Sequence, residues 1–262
     1  MALKSGLAAQ VGLKTETTWG TAVAVDRFTP LISESMTEKI ERLESAGIAP
    51  GARVLRSGQW ATGNVEVSGD LGFELYQQGM GLWFRHMFGA VSTSGAGPYT
   101  HTFTPGDMSD DHFTLQIGKP DVAGTVQPFT YAGCKVTEWE LAAKAGELVT
   151  LGVSVVGKDL VTGTSLATAS YGTGSGLPFS FAHASVTVGG SAAYVKEITL
   201  KGSNGLAVDR RGIGSAYIKE PLEAELRAYE GEMVCEFESL TQMNLFRNGT
   251  ENALGLTIDA GS

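Results

Sequence analysis

At 262 residues with 42% hydrophobic side chains, the chain can build a sizeable core, which excludes a wholly disordered segment. Its formal net charge of -9, from 28 acidic and 19 basic residues, sets it apart from proteins that grip nucleic-acid phosphates with a basic patch. The 35 glycines are nearly twice the ~7% of an average protein and show no collagen period, so they point to many short strands joined by turns.

In chain order, the first fifty-odd residues are irregular. Residues 31–44 are polar and charged, and residues 47–58 carry Pro50, Gly51, Arg53 and Arg56 without periodicity. Such a segment is expected to be an arm that docks elsewhere, with apolar Trp19, Phe28 and Leu31 near its start. Val65 and Val67 flank Glu66 as in a strand, and Asp70 suits the N-cap of a helix over about residues 71–88. Phe73, Tyr76, Met80, Trp83, Phe84 and Met87 recur at helical spacing, and Gly89 suits the C-cap.

Beyond residue 98 the apolar period switches to two. Phe113, Leu115 and Ile117 alternate with polar residues, and residues 135–141 and 149–155 read as two strands joined at Lys144-Ala145-Gly146. Ile198 and Leu200 precede an Asn204-Gly205 turn. Leu222, Ala224, Leu226 and Ala228 form one more alternating run, Met233, Cys235 and Phe237 another, with a tight turn expected at Glu230-Gly231 between them. Leu254, Leu256 and Ile258 close the chain. The pattern predicts a mainly β fold: an antiparallel sandwich or barrel with one flanking helix. Residues 162–176, rich in Gly, Ser and Thr, read as a flexible loop inside the domain.

Motifs with chemical meaning are near misses. Gly152-Val-Ser-Val-Val-Gly157-Lys158-Asp159 approaches a phosphate loop, but Asp159 stands where a magnesium ligand is needed and the middle alternates as a strand. Gly172, Gly174 and Gly176 lack a following helix. Asp107, Asp110, Asp111, His101 and His112 are the densest potential metal ligands, without calcium-loop or zinc spacing. Neither a nucleophile elbow nor a serine or cysteine marked by a neighbouring histidine is present, so neither an enzyme nor a cofactor is expected. Cys134 and Cys235 read as reduced, buried thiols of a protein made in cytoplasm. The most apolar stretch, residues 81–91, is interrupted by Arg85 and His86 and falls short of the ~20 residues of a membrane span. Glu223, Glu225, Glu232, Glu236 and Glu238 are expected on the polar side of two adjacent strands, either as a solvated face or as the wall of a channel.

The order of these features resembles the tail tube proteins of long, non-contractile bacteriophage tails. The resemblance begins with Gly12-Leu-Lys-Thr-Glu16-Thr-Thr-Trp-Gly-Thr21, like a K-x-E-x-x-x-G-T opening, and Phe28-Thr-Pro-Leu31. It continues through Glu44-Ser45, Gly47-Ile-Ala-Pro-Gly51 and Gly63-Asn-Val-Glu-Val-Ser-Gly69. Tyr99-Thr-His-Thr-Phe-Thr-Pro105, Phe113-Thr-Leu-Gln116, Tyr131-Ala-Gly-Cys-Lys-Val136, Val186-Thr-Val-Gly-Gly190 and residues 198–205 complete it. The resemblance implies a structural virion protein that assembles in the host cytoplasm as stacked six-membered rings around a channel for the genome. Its partners would be further copies of itself, the tape-measure protein, the tail terminator and the tail tip. DNA would pass without specific binding, and no membrane is involved. Residues 1–62 would be an N-terminal arm and inter-ring loop segment of the same domain, with Trp19, Phe28, Leu31, Arg53 and Arg56 in it. Residues 63–262 would be the sandwich, with the five glutamates above facing the lumen. The runner-up is another virion sandwich (terminator, baseplate or head-decoration protein). A carbohydrate-binding sandwich, which could use Trp60, Tyr171 or Tyr194, stands further behind.

Overall fold

The computed structural model describes residues 6–48, 50–51, 53–54, 56, 58–172, 176–237 and 239–260. The strands are β1 (Gln10–Thr15), β2 (Arg27–Phe28), β3 (Ser33–Glu34), β4 (Thr37–Glu44), β5 (Trp60–Glu74), β6 (Gly89–Ser94), β7 (Thr100–Pro105) and β8 (Phe113–Pro120). They continue with β9 (Val126–Lys144), β10 (Thr150–Gly157), β11 (Asp159–Val161), β12 (Ala184–Val188), β13 (Ser191–Ala193), β14 (Val195–Ser203), β15 (Ala228–Cys235) and β16 (Leu254–Ile258). Helix α1 spans Gly81–Phe88 and α2 spans Thr241–Asn248.

All registered pairings are antiparallel, and the long strand β9 organises them. Its first half pairs with β8 and β11, and β8 leads on to β1 and β2. Its second half pairs with β10 on one edge and β14 on the other. That second layer therefore runs β15-β14-β9-β10-β5, with β3 and β4 beside β5. Among the described residues, its outer edges are β15 and the β3/β4 side, with main-chain groups available for pairing with another chain.

The core lies between the layers. Val11, Leu13, Phe113, Leu115, Ile117 and Tyr131 meet Val67, Leu71, Phe73, Leu151, Val153 and Val155. Trp83 of α1 fills the end of this space, 4.8 Å from the Phe73 ring and 5.9 Å from Phe113, and its indole N–H donates to Thr29 Oγ1.

The helix begins ten residues later than the sequence predicts. Leu71, Phe73 and Leu75 are buried while Asp70, Gly72 and Glu74 between them are not, which is strand alternation. Asp70 therefore lies inside β5 and caps nothing. The apparent helical stripe is a composite: Phe73 belongs to a strand, Tyr76 and Met80 to a connecting loop, and Trp83 and Met87 to α1. Gly79, at φ +88, breaks the run, and Gly89, at φ +87, ends the helix as expected. A second helix, α2, was not foreseen.

Residues 10–34 are built into the sandwich. They supply β1, β2 and β3 to the two layers, with Phe28 buried and Leu31 packed on the core. The Gly/Ser/Thr-rich segment is also more ordered than its composition suggests, since residues 163–171 lie as a strap across the outer face of the first layer. Gln116, buried there, donates to Ser165 O and accepts from the Ala167 N–H, while Gln10 donates to Ala167 O. Tyr171 stacks edge-on against Phe28. Gln116→Leu is expected to remove about 1–3 kcal/mol from this attachment. The readout is faster proteolysis within residues 163–172, and an unchanged cleavage rate would show that the strap is held otherwise.

Candidate assembly surfaces

The outward face of the second layer is acidic. Register places Glu230, Lys201, Glu140, Gly152 and Gly72 in one row across five strands, and Ala228, Ser203, Glu138, Ser154 and Asp70 in the next. A third row holds Glu232, Thr199, Ala142, Thr150 and Glu74. These side chains face away from the core because the alternate positions (Leu71, Val153, Trp139, Ile198) are buried in it. The two adjacent glycines leave the centre of the face low, as a trough of about 560 Å³ whose walls include Asp70, Glu138, Glu140 and Glu230.

Lys201 is the basic residue in these rows. Its Nζ lies 2.8 Å from Glu140 Oε2, and its pKa is raised by that hydrogen bond, by the Glu140 charge, and further by Glu232 and Glu230. Ser154 Oγ donates to Asp70 Oδ1 at 2.7 Å. Glu138, Glu230 and Glu232 are exposed, with no carboxylate directly opposite them, and Glu74 accepts from the Tyr76 hydroxyl.

The five glutamates singled out from sequence are not together on this face. Glu232 is on it. Glu236 pairs with Lys196 at 2.9 Å just past the end of β15. Glu223 and Glu225 precede β15 in an irregular excursion, residues 204–227, and not in a second strand. Glu223 is a brace: it accepts from Met108 N–H and from Arg227 Nε, while Arg227 also donates to Phe88 O and Gly106 O. Glu225 is exposed in a bend, and Glu238 lies outside the described residues. No turn interrupts Glu230-Gly231, since β15 runs through it in register with β14. Sequence reading missed Asp70, Glu138, Glu140 and Glu230. The alternation Glu138-Trp139-Glu140-Leu141 carried the signal for two of them.

A second surface is the β4–β5 hairpin. In the ladder residues 60–64 of β5 pair with β4, and this end projects beyond the other strands, whereas Val65 is buried and also held by Ala216 O and Arg211. Ile40, Leu43 and Trp60 are about half exposed, Arg42 stacks over Trp60 at 5.0 Å, and Arg53 and Arg56 are exposed near the tip. Trp19, grouped with those arginines from sequence, is elsewhere: it sits half-buried under Lys158 Nζ at 4.9 Å.

The K-x-E-x-x-x-G-T opening forms a buried clamp. Glu16 Oε2 accepts from Gly20 N–H at 2.8 Å, and Oε1 accepts from Thr114 Oγ1 at 2.8 Å and Gly133 N–H at 2.9 Å. His112 Nδ1 lies 3.3 Å from Oε2. Burial pushes the Glu16 pKa up, but His112, the two N–H groups and Thr114 outweigh it and hold it below the usual value. Lys14 pairs with Asp26 at 2.9 Å. Gly20 has φ +70, a conformation that favours glycine, and a Cβ there would displace the end of the Lys158 side chain. His86 Nδ1 lies 3.1 Å from Asp111 Oδ1, without the alignment of a hydrogen bond.

The potential metal ligands are divided by the fold. His101 is on β7 against Thr93, and Asp111 is beside His86. Asp110 and His112 come within 4.8 Å of Glu220, but Glu220 Oε1 is already held by buried Lys135 Nζ at 2.6 Å and by Asp110 N–H. The phosphate-loop near miss is strand β10. Both cysteines are free: Cys134 is buried as expected and its thiol pushed well up by burial, whereas Cys235 is exposed.

The family model for phage tail tube proteins matches residues 6–262. The chain belongs to that family. No curated protein matches the sequence. Among solved structures, this tail tube protein is similar to the tube-terminating cap of the anti-feeding prophage, seen by cryo-EM. The identity is 13% over 63% of this chain and 93% of that chain, with a TM-score of 0.37. A likeness at that level adds nothing to the assignment. Family membership makes the chain a structural component of a virion tail that assembles with other tail proteins.

Proposed function

We propose that copies of this tail tube protein close into hexameric rings, stack into a tube of a non-contractile tail, and conduct the genome into the host cell without catalysing a reaction. The observation that carries this reading is the acidic outer face of the second layer, bounded on both sides by free strand edges. Edge pairing between neighbours would turn that layer into one arc of a closed barrel and satisfy the exposed main-chain groups. With the acidic face inward, the lumen would repel phosphates and let DNA slide. The projecting β4–β5 hairpin, with Arg53 and Arg56 near its tip, would reach the adjacent ring. Tape-measure, terminator and tip proteins would then set length and ends, with assembly in the host cytoplasm.

Two measurements test this. Negative-stain microscopy of purified protein and parent particles should show hollow six-fold cylinders. Single rings would favour a terminator instead. Changing Asp70, Glu138, Glu140 and Glu230 to lysine should leave tails assembled but slow genome ejection by an order of magnitude or more, since phosphates would then adhere to the wall. Unchanged ejection from such particles would place this face away from the lumen.

A further inference from the structure

Helix α2 has no buried residue. Leu240 at its N-cap, Met243 and Phe246 recur every third position and are 57%, 51% and 88% exposed, and Phe237 just before them is 79% exposed. A helix of eight residues is well below the ~12–15 that hold helical form unaided in water, so its stability calls for an apolar partner.

The same chain offers an unfilled groove of about 520 Å³, within the ~300–1,000 Å³ range of binding pockets. Tyr76, Met80, Phe84, Phe179 and Ile258 wall it, and Gln77, Gln78 and His101 lie along it. No residue of α2 lines it. Neither lysine nor arginine lines it, while Glu74 accepts from the Tyr76 hydroxyl at its edge. Arg247 is the charged residue of α2, opposite in sign to Glu74 beside the groove.

The geometry points to a head-to-tail contact in which α2 of one copy seats Met243 and Phe246 in this groove of a second copy. Helix-in-groove recognition uses such spaced apolar anchors. Because knob and hole occupy different patches of one chain, the contact can pass from copy to copy and closes a ring where the rotation between copies allows. It rests on the ring reading above and names the side-chain interface that would accompany edge pairing.

The test uses the full chain carrying Cys235→Ser, with Phe246→Cys and Gln78→Cys introduced together and treated with a short thiol cross-linker. The expected result is a ladder of covalent multimers that needs both new cysteines. Tubes without that ladder, or cross-linking wholly within single chains, overturns the contact and leaves the tube reading intact. Absence of rings and tubes from the unmodified chain and from its particles overturns the tube reading, whereas a ladder obtained even then would still support the contact. Phe246→Asp should raise the concentration needed for assembly by roughly tenfold or more while leaving the far-UV circular dichroism of the monomer unchanged. Assembly at the original concentration counts against the contact.

Discussion

Glu16→Ala is expected to cost about 3–5 kcal/mol, because it strips one partner from a buried ionic cluster. The Gly20 and Gly133 N–H groups and the Thr114 hydroxyl would lose their acceptor, and His112 would lose its facing carboxylate. Urea unfolding of the monomeric chain measures this, and Glu16→Gln should fall between wild type and alanine because the amide keeps one acceptor. The same residue sets a pH dependence. Its folded pKa is depressed, so the stability it contributes is fully present above its unfolded pKa, the usual carboxylate value near 4.5, and is lost as pH falls through the folded value. Wild type should therefore weaken below about pH 4.5 more steeply than Glu16→Ala. Equal acid sensitivity would mean that the carboxylate is not the anchor of the clamp.

Lys135→Ala is the second large effect, again about 3–5 kcal/mol. Lys135 is fully buried, and its Nζ donates to Met108 O at 2.6 Å and Pro221 O at 3.0 Å while pairing with Glu220. It fastens the excursion of residues 204–227 to the loop before β8. Without it, two carbonyls lose a donor and Glu220 loses its countercharge. Lys135→Met should recover part of the loss by filling the volume. Beyond the urea midpoint, limited proteolysis should reach residues 205–226 sooner in both variants, and protection equal to wild type would show that Arg211 and Arg227 suffice to hold the excursion.

The segments that sequence reading placed well are those whose pattern is local. The strands at residues 113–117, 135–141, 149–155 and 198–200 alternate because each has a core on one side, and alternation survives whatever the neighbours are. The hairpin at Lys144-Ala145-Gly146 needed a residue at positive φ, and Gly146 has φ +88. The opening motif was visible as a pattern, but that its glutamate is buried and accepts from residues near 20, 114 and 133 was not. Those donors lie on segments up to 117 positions away.

Errors arose where tertiary contact outweighs local propensity. Residues 71–88 offered both a helical and a strand period, and pairing with β10 captured the first part as strand. Residues 222–226 alternate as a strand would, yet Arg227 and Lys135 pin that segment as an irregular covering. Carboxylates close in sequence were grouped as one face, whereas the face that exists draws Asp70, Glu138, Glu140, Glu230 and Glu232 from β5, β9 and β15.

The sequence by itself determined the class: a glycine-rich, acidic, alternating chain makes antiparallel strands, and its ordered motifs mark it as a tail tube protein. The composition of the surfaces was decided by the tertiary structure. Which side chains share a face depends on register between distant strands, and a shift of one residue would turn each of them to the opposite side. Burial of Glu16 and Lys135 depends equally on coverings from elsewhere in the chain, because an ion leaves water only where several remote donors or acceptors converge on it.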